Sequence, residues 1–238
     1  MARAINATAP GVLAREAAAA GTWLVHYGTD YVFDGSGSGP WAEEDPTGPL
    51  NVYGQTKLEG EELIRGSGCR HLILRTSWVY ASRGQNFART MLRLAAERDS
   101  LTIIDDQHGA PTGAELLADV TAHAMLSVIR RPKLAGTYHV AASGETTRHG
   151  YATHVIEAAR AAGLPIRVAP GGGSAEYRPR RLRPKRSGQG THDWPPASFD
   201  KPSTSSFPIG RRVWSECWPK YSVAETYEPR PIRRGIQS

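Results

Sequence analysis

Cysteine is almost missing from this 238-residue chain, with only Cys69 and Cys217. Two thiols cannot staple a small disulfide scaffold, so the chain is expected in a reducing compartment, the cytoplasm. Also missing is any run of about 18 apolar residues, so no membrane span is expected. The opening MARAINATAP lacks the charged-then-apolar order of a secretory signal, and no internal repeat is visible. A chain that is 39% hydrophobic can nevertheless bury a sizeable core, in one domain or one and a half.

Charge of one sign is scarce over most of the chain. The net +6 is concentrated in residues 171–238, which hold 13 of the 29 Lys and Arg and 6 of the 23 Asp and Glu. Residues 1–170 are nearly neutral. The basicity therefore belongs to the tail, and no nucleic-acid or membrane partner is expected. A basic nucleic-acid arm would instead give salt-sensitive DNA binding.

Up to about residue 168, helical and strand patterns alternate. VLAREAAAAG reads as a helix ending at Gly21, and the WLV of TWLVHYGTDYVF suits a buried strand. LNVYGQTKLEGEELIRGSG reads as a helix and HLILRTSWVY as a strand. NFARTMLRLAAERD is amphipathic, with Phe87, Met91, Leu94 and Ala95 on one side. LTIID, GAELLADVTAHAMLSVIR, GTYHVA and YATHVIEAARAAG continue as strand, helix, strand and helix. The alternation predicts an α/β fold with a parallel sheet. Residues 1–170 are read as one partial domain and 171–238 as a separate, poorly ordered tail. That tail carries 9 of the 17 prolines and 3 of the 6 tryptophans.

Three segments carry chemistry. GTDYVFDG follows a predicted strand, where parallel sheets bind ligands, and a hydroxyl at Thr29 there could meet a substrate carbonyl. A turn closing the strand explains the same residues. Tyr53 and Lys57 in NVYGQTK share a helix face, so the lysine is expected to hold charge near the phenol and lower its pKa. A surface tyrosine beside a solvated lysine is the plain alternative. Trp78 in RTSWVY either walls a pocket or fills the core.

Taken in order, TDYVFDG, PLNVYGQTKLEGE, RTSWVY, NFARTMLRLA, DDQHGAPTGAELLAD and GTYHVAASGETT resemble the dTDP-4-dehydrorhamnose reductase family of extended short-chain dehydrogenases. The resemblance covers residues 4 to about 169 and implies an incomplete Rossmann-like, doubly wound parallel sheet with a small substrate-binding part. It implies reduction of the C4 ketone of dTDP-4-dehydro-6-deoxy-L-mannose by NADPH (or NADH). Tyr53 would then donate the proton, and Lys57 would bind the nicotinamide ribose. Thr29 and Asp30 would meet the dTDP-sugar, and Trp78 would line the sugar site. Glu115 matches a position that some members use for Mg2+ between subunits, which is compatible with a homodimer. Gly28 departs from the family, which usually has serine there.

The glycine-rich pyrophosphate turn of the family is missing. GSGSG at 35–39 and GGGS at 171–174 do not sit between a strand and a helix. The match begins inside the family pattern, at RAINAT, so roughly 70 residues with the first strands are expected to lack a counterpart here. Met1 is read as an internal start or the edge of a fragment. Lost leading strands would leave an apolar sheet edge that favours aggregation, and no reductase activity is expected from the chain as written. A non-catalytic binding or regulatory homologue is the alternative reading. Another nucleotide-sugar epimerase or dehydratase fits RTSWVY and APTGAELLAD less well.

The tail reads as a frameshift. Taking the last base of each codon with the first two of the next, Asp193–Trp194 forces Leu and Trp194–Pro195 forces Ala, while Ser206–Gly210 permits Leu-Pro-Asp-Trp. Permitted codons give a sequence close to the family's usual ending. Sequencing codons 170–220 of the gene tests this: codons that allow Leu-Pro-Asp-Trp in the shifted frame are expected, and codons that forbid it end the idea.

Overall fold

The computed structural model describes residues 1–36, 40–105 and 107–170 and the backbone of 174–176. A π-helical turn, Ala4–Thr8, runs directly into α1 (Ala9–Ala19). The helix thus starts well before VLAREAAAAG, because Pro10 stands in the first turn, where its missing N–H is tolerated. Then follow β1 (Trp23–Thr29), a 3-10 turn (Asp30–Val32), α2 (Val52–Gly66), β2 (Arg70–Thr76) and β3 (Val79–Tyr80). Beyond them come α3 (Phe87–Glu97), β4 (Leu101–Ile103), β5 (His108–Gly109), β6 (Thr112–Gly113) and α4 (Ala114–Arg130). The remaining elements are a 3-10 turn (Pro132–Leu134), β7 (Gly136–His139), β8 (Thr146–Thr147), α5 (Arg148–Ala161) and β9 (Ser174–Glu176). Among the described residues no helix is long and apolar enough to cross a membrane.

The main sheet has the order β1-β2-β7, all parallel, with β2 in the middle. Alternation along β2 sends its side chains to both faces. Leu72 and Leu74 pack with Leu117, Val128, Leu134 and Val140 on the α4 side. Ile73 packs with Ala14 and Ala17 of α1, Ile64 of α2 and Cys69. Leu72, Ile73 and Leu74 are fully buried, worth about 1.5–3 kcal/mol each. Helices on both faces of a parallel sheet make the expected α/β, doubly wound arrangement.

A second core joins Met91 and Ala95 of α3, Leu101 and Ile103 of β4, Ala152 and Ile156 of α5, and Val168. This is the smaller part of the molecule. β4 pairs in parallel with β9, so regular pairing continues past Pro170. The rest of the expected tail lies outside the described residues. Two short pairs complete the picture: β3 with β6 in parallel, and β5 with β8 antiparallel.

Two expectations need correction. The WLV strand was expected to be buried, but β1 is half-buried and Tyr27 is exposed. It is an edge strand among the described residues, with a neighbour on one side only. HLILRTSWVY is not one strand, because Trp78 takes φ +42° and breaks it after Thr76. A left-handed backbone cannot continue a ladder.

α2 is tied to β2 by charge as well as by packing. Glu61 is 0% exposed, and the Arg75 guanidinium grips it with Nη2–Oε2 at 2.8 Å and Nε at 3.1 and 3.2 Å from its two oxygens. Arg65 adds a bond of 3.3 Å. Removing one partner leaves a buried charge uncompensated. Arg75→Met is expected to cost about 3 kcal/mol in urea unfolding, and adding Glu61→Leu to restore most of it. A single variant as stable as the parent would show that the pair is no constraint.

Candidate functional site

The site begins where α2 begins. Asn51 caps the helix, its side chain accepting from Gly54 N–H at 2.8 Å. Gly54 lies so close to the Asp30–Val32 turn that a Cβ would sit 2.1 Å from Tyr31 O. Any larger residue would lift this end of α2 off the end of β1. The approach sets Tyr53 edge-on to Tyr31, with ring centroids 5.8 Å apart.

Tyr53 as a whole is 48% exposed. Its pKa lies above 10, chiefly from burial. The nearby Thr29 hydroxyl pulls it down, and the Asp30 charge pushes it up again. The lowering by Lys57 expected from the spacing is not what the structure holds. Lys57 Nζ donates to Tyr27 O at 2.6 Å and meets His26 Nε2 at 3.2 Å. The i, i+4 spacing fixes a shared helix face but leaves a long side chain free to choose its partner. Burial lowers the Lys57 pKa as well, with Glu61 opposing.

An ammonium can only donate, so His26 Nε2 accepts and the imidazole is neutral. Burial, reinforced by the Lys57 charge and opposed by Glu61, lowers His26 to about 4.

Thr29 is buried at the carboxyl end of β1. Its hydroxyl donates to Asp30 Oδ1 at 3.1 Å and accepts from Tyr31 N–H at 3.3 Å. Asp30 Oδ2 accepts from Ser77 Oγ at 2.7 Å. The parallel register explains the meeting: Thr29 lies opposite Thr76, so the next residues outward, Asp30 and Ser77, come side by side. Thus Thr29, Asp30 and Tyr53 form one cluster, with Lys57 one helical turn away. Ser77 was missed in the sequence, where only register, not spacing, signals it.

Trp78 follows Ser77 and is half-buried. Arg148 lies 3.8 Å over its ring, and Tyr151 stacks at 6.4 Å. A Cβ on Gly109 would come within 2.4 Å of its indole. The tryptophan is therefore packed against β5 and α5 as well as neighbouring the cluster. Glu115 is exposed in the first turn of α4. Among the described residues no group of three or more His, Cys, Asp or Glu could hold a metal ion.

Gly28 has a local reason. A Cβ there would lie 2.5 Å from Glu61 Oε1 and 2.8 Å from Arg75 Cγ. The serine usual in the resembling family would have to displace the buried ion pair.

The hydroxyl and ammonium of Tyr53 and Lys57 suit a cofactor ribose. Among the described residues no glycine-rich turn leads from a strand into a helix.

A family model described as the RmlD substrate binding domain matches residues 1–203. Over 165 residues the chain is 57% identical to the dTDP-4-dehydrorhamnose reductase of Escherichia coli (strain K12), covering 69% of this chain and 55% of that one. The reductase of Salmonella typhimurium is 55% identical over 166 residues, covering 70% and 56%. Among solved structures, a dTDP-4-dehydrorhamnose reductase from Clostridium acetobutylicum aligns with a TM-score of 0.61 at 35% identity, covering 72% of this chain and 56% of that chain. One from Bacillus anthracis in complex with NADP gives 0.60 at 31%, covering 72% and 57%. The chain spans about half the length of the curated relatives it matches.

An imidazole lowered from 6.5 to about 4 stays neutral in the folded chain while the unfolded chain takes up a proton. Its stabilisation is complete above pH 6.5 and is lost as pH falls from there to about 4. His26→Gln keeps an acceptor for Lys57 and is expected to flatten that part of the stability curve. Thermal unfolding at pH 7 and pH 4.5 checks it, and equal pH slopes in parent and variant would refute it.

Proposed function

Because the chain belongs to the family of the RmlD substrate binding domain, we propose that it is the part of a dTDP-4-dehydrorhamnose reductase that carries the Thr–Tyr–Lys residues. The reaction is reduction of the C4 ketone of dTDP-4-dehydro-6-deoxy-L-mannose to dTDP-L-rhamnose. The observation that carries this reading is the grouping of Thr29, Asp30 and Ser77 at the carboxyl ends of β1 and β2, with Tyr53 of α2 packed edge-on to the adjoining Tyr31. Ligands of parallel sheets bind at such strand ends. The relatives' printed names supply the substrate class, and the NADP in the Bacillus anthracis structure supports a nicotinamide cofactor.

When bound, NADPH or NADH supplies the hydride to C4. Tyr53, protonated at neutral pH, gives its proton to the developing alkoxide oxygen. Thr29 and Asp30 orient the sugar oxygen, and Trp78 bounds the sugar side. One Lys57 N–H remains beyond its bonds to Tyr27 and His26, and it would hold the ribose hydroxyls of a bound nicotinamide cofactor. A homodimer with Mg2+ held by Glu115 and ligands of a second subunit belongs to the same proposal, supported by the exposure of Glu115.

A second reading, a binding or regulatory homologue without turnover, draws on the raised Tyr53 pKa and on Lys57 being held at Tyr27 O. One experiment separates the two. Residues 4–169 are exchanged for the matching segment of the Escherichia coli reductase, and the chimera is assayed with the sugar and NADPH. Turnover is expected, falling roughly 10²–10⁴-fold in Tyr53→Phe. No turnover is expected from the 238-residue chain alone. A folded chimera that binds dTDP but reduces nothing would overturn the enzyme reading.

A further inference from the structure

WLV is the near-continuous apolar pattern of a strand covered on both faces, yet Trp23, Leu24 and Val25 of β1 are only half-buried. The neighbouring ladder sets which peptide groups face the open side. Val140 N–H donates to Arg75 O at 2.7 Å, so Arg75 turns its N–H and C=O toward β7. Successive residues alternate, so Leu74 turns its own toward β1. Tyr27 stands opposite Leu74, and in a parallel ladder only one member of such a pair bonds across. Tyr27 therefore turns its N–H and C=O away from β2, and Val25 and Trp23 do the same.

Lys57 stands on that open side. Its Nζ donates to Tyr27 O at 2.6 Å, the place an N–H of another strand would take, and meets His26 Nε2 at 3.2 Å. A lysine at an exposed sheet edge blocks further pairing. We propose that the open side of β1 takes a parallel strand, and that Lys57 is the guard this strand displaces. The occupant is a strand of the segment that precedes the match in the reductase relatives, whose shared stretch spans 55% of the Escherichia coli chain. Parallel addition keeps the sheet of one kind, and its crossover helix covers the half-buried apolar row. When an N–H of the incoming strand takes Tyr27 O, one hydrogen bond replaces another and no covalent bond changes. The Lys57 ammonium then keeps His26 as its partner and has two N–H groups to offer instead of one. Completing the sheet and freeing the lysine for a cofactor ribose become a single event.

The choice of occupant rests on the proposed reductase reading, but the first test needs no activity. The probe is the segment of the Escherichia coli reductase that precedes its match, titrated into the full 238-residue chain. Binding is expected to slow hydrogen exchange of the Val25 and Tyr27 amides about tenfold or more. The His26 amide, which faces β2, is expected to change less. Lys57→Met removes the guard and is expected to tighten binding about tenfold, the worth of about one hydrogen bond. Val25→Pro takes an N–H from the open side without touching the β1–β2 ladder and is expected to weaken binding at least about tenfold. No binding, binding that leaves both amides exchanging as before, or an affinity unmoved in Lys57→Met overturns the proposal. So does protection of both amides in the chain alone, which would mean that a second copy fills the edge.

Should the probe not stay in solution by itself, the chimera described above carries the same segment covalently. The Val25 and Tyr27 amides are then expected to exchange more slowly there than in the 238-residue chain, and equal exchange overturns the proposal. A chimera with both amides protected but no turnover would count against the reductase reading alone, because the guarded edge would still stand.

Discussion

The ion pair between Glu61 and Arg75 is the constraint on which the site depends. It lies out of water, and it joins the middle of α2 to the end of the central strand. Two turns of α2 toward its start lies Tyr53, and one turn lies Lys57. Fixing Glu61 against β2 therefore fixes where both side chains stand relative to the ends of β1 and β2. Arg75 also reaches Glu43 O at 3.4 Å, and Glu43 Oε1 accepts from His139 N at 3.0 Å. The same guanidinium thus links the chain before α2 to β2, while Glu43 carries the link on to β7. A buried charge pair of this kind is a weak source of stability but a strict one of geometry, since neither partner can be moved alone.

Around that anchor, polar groups settle at strand ends and apolar groups at strand middles. Leu72 to Leu74 fill the two faces of the sheet, whereas Thr29, Thr76 and Ser77 occupy its carboxyl edge. Backbone groups there have no further ladder to join, so hydroxyls and a carboxylate collect in their place. The site is a result of where the sheet stops.

Much of this was legible in the sequence. Helices ended by glycine, a central strand of Leu-Ile-Leu, and the Tyr–Lys helix face all follow from local pattern, and the structure keeps them. Three features were not legible. The break at Trp78 is a backbone choice that no propensity encodes. The partner of Lys57 is decided by His26 and the Tyr27 carbonyl, which lie about 30 residues away. Ser77 meets Asp30 only because the two strands pair in one register, and a shift by one residue would turn it to the other face. Long-range register and the reach of flexible side chains are what local periodicity leaves out. Residues 177–238, including the expected frameshifted stretch and Cys217, lie outside the described residues.

Trp78 has a consequence for how this site tolerates change. Its left-handed backbone would suit glycine far better than an indole, at a cost on the order of 1 kcal/mol or more. Against that cost the ring gains its contacts with Arg148, Tyr151 and the bare Gly109. Position 78 is therefore not adjustable in small steps: intermediate side chains would keep the strained backbone and lose the contacts. Drift at this corner is confined to all-or-nothing exchanges, with Gly109 and Arg148 moving in concert with the indole.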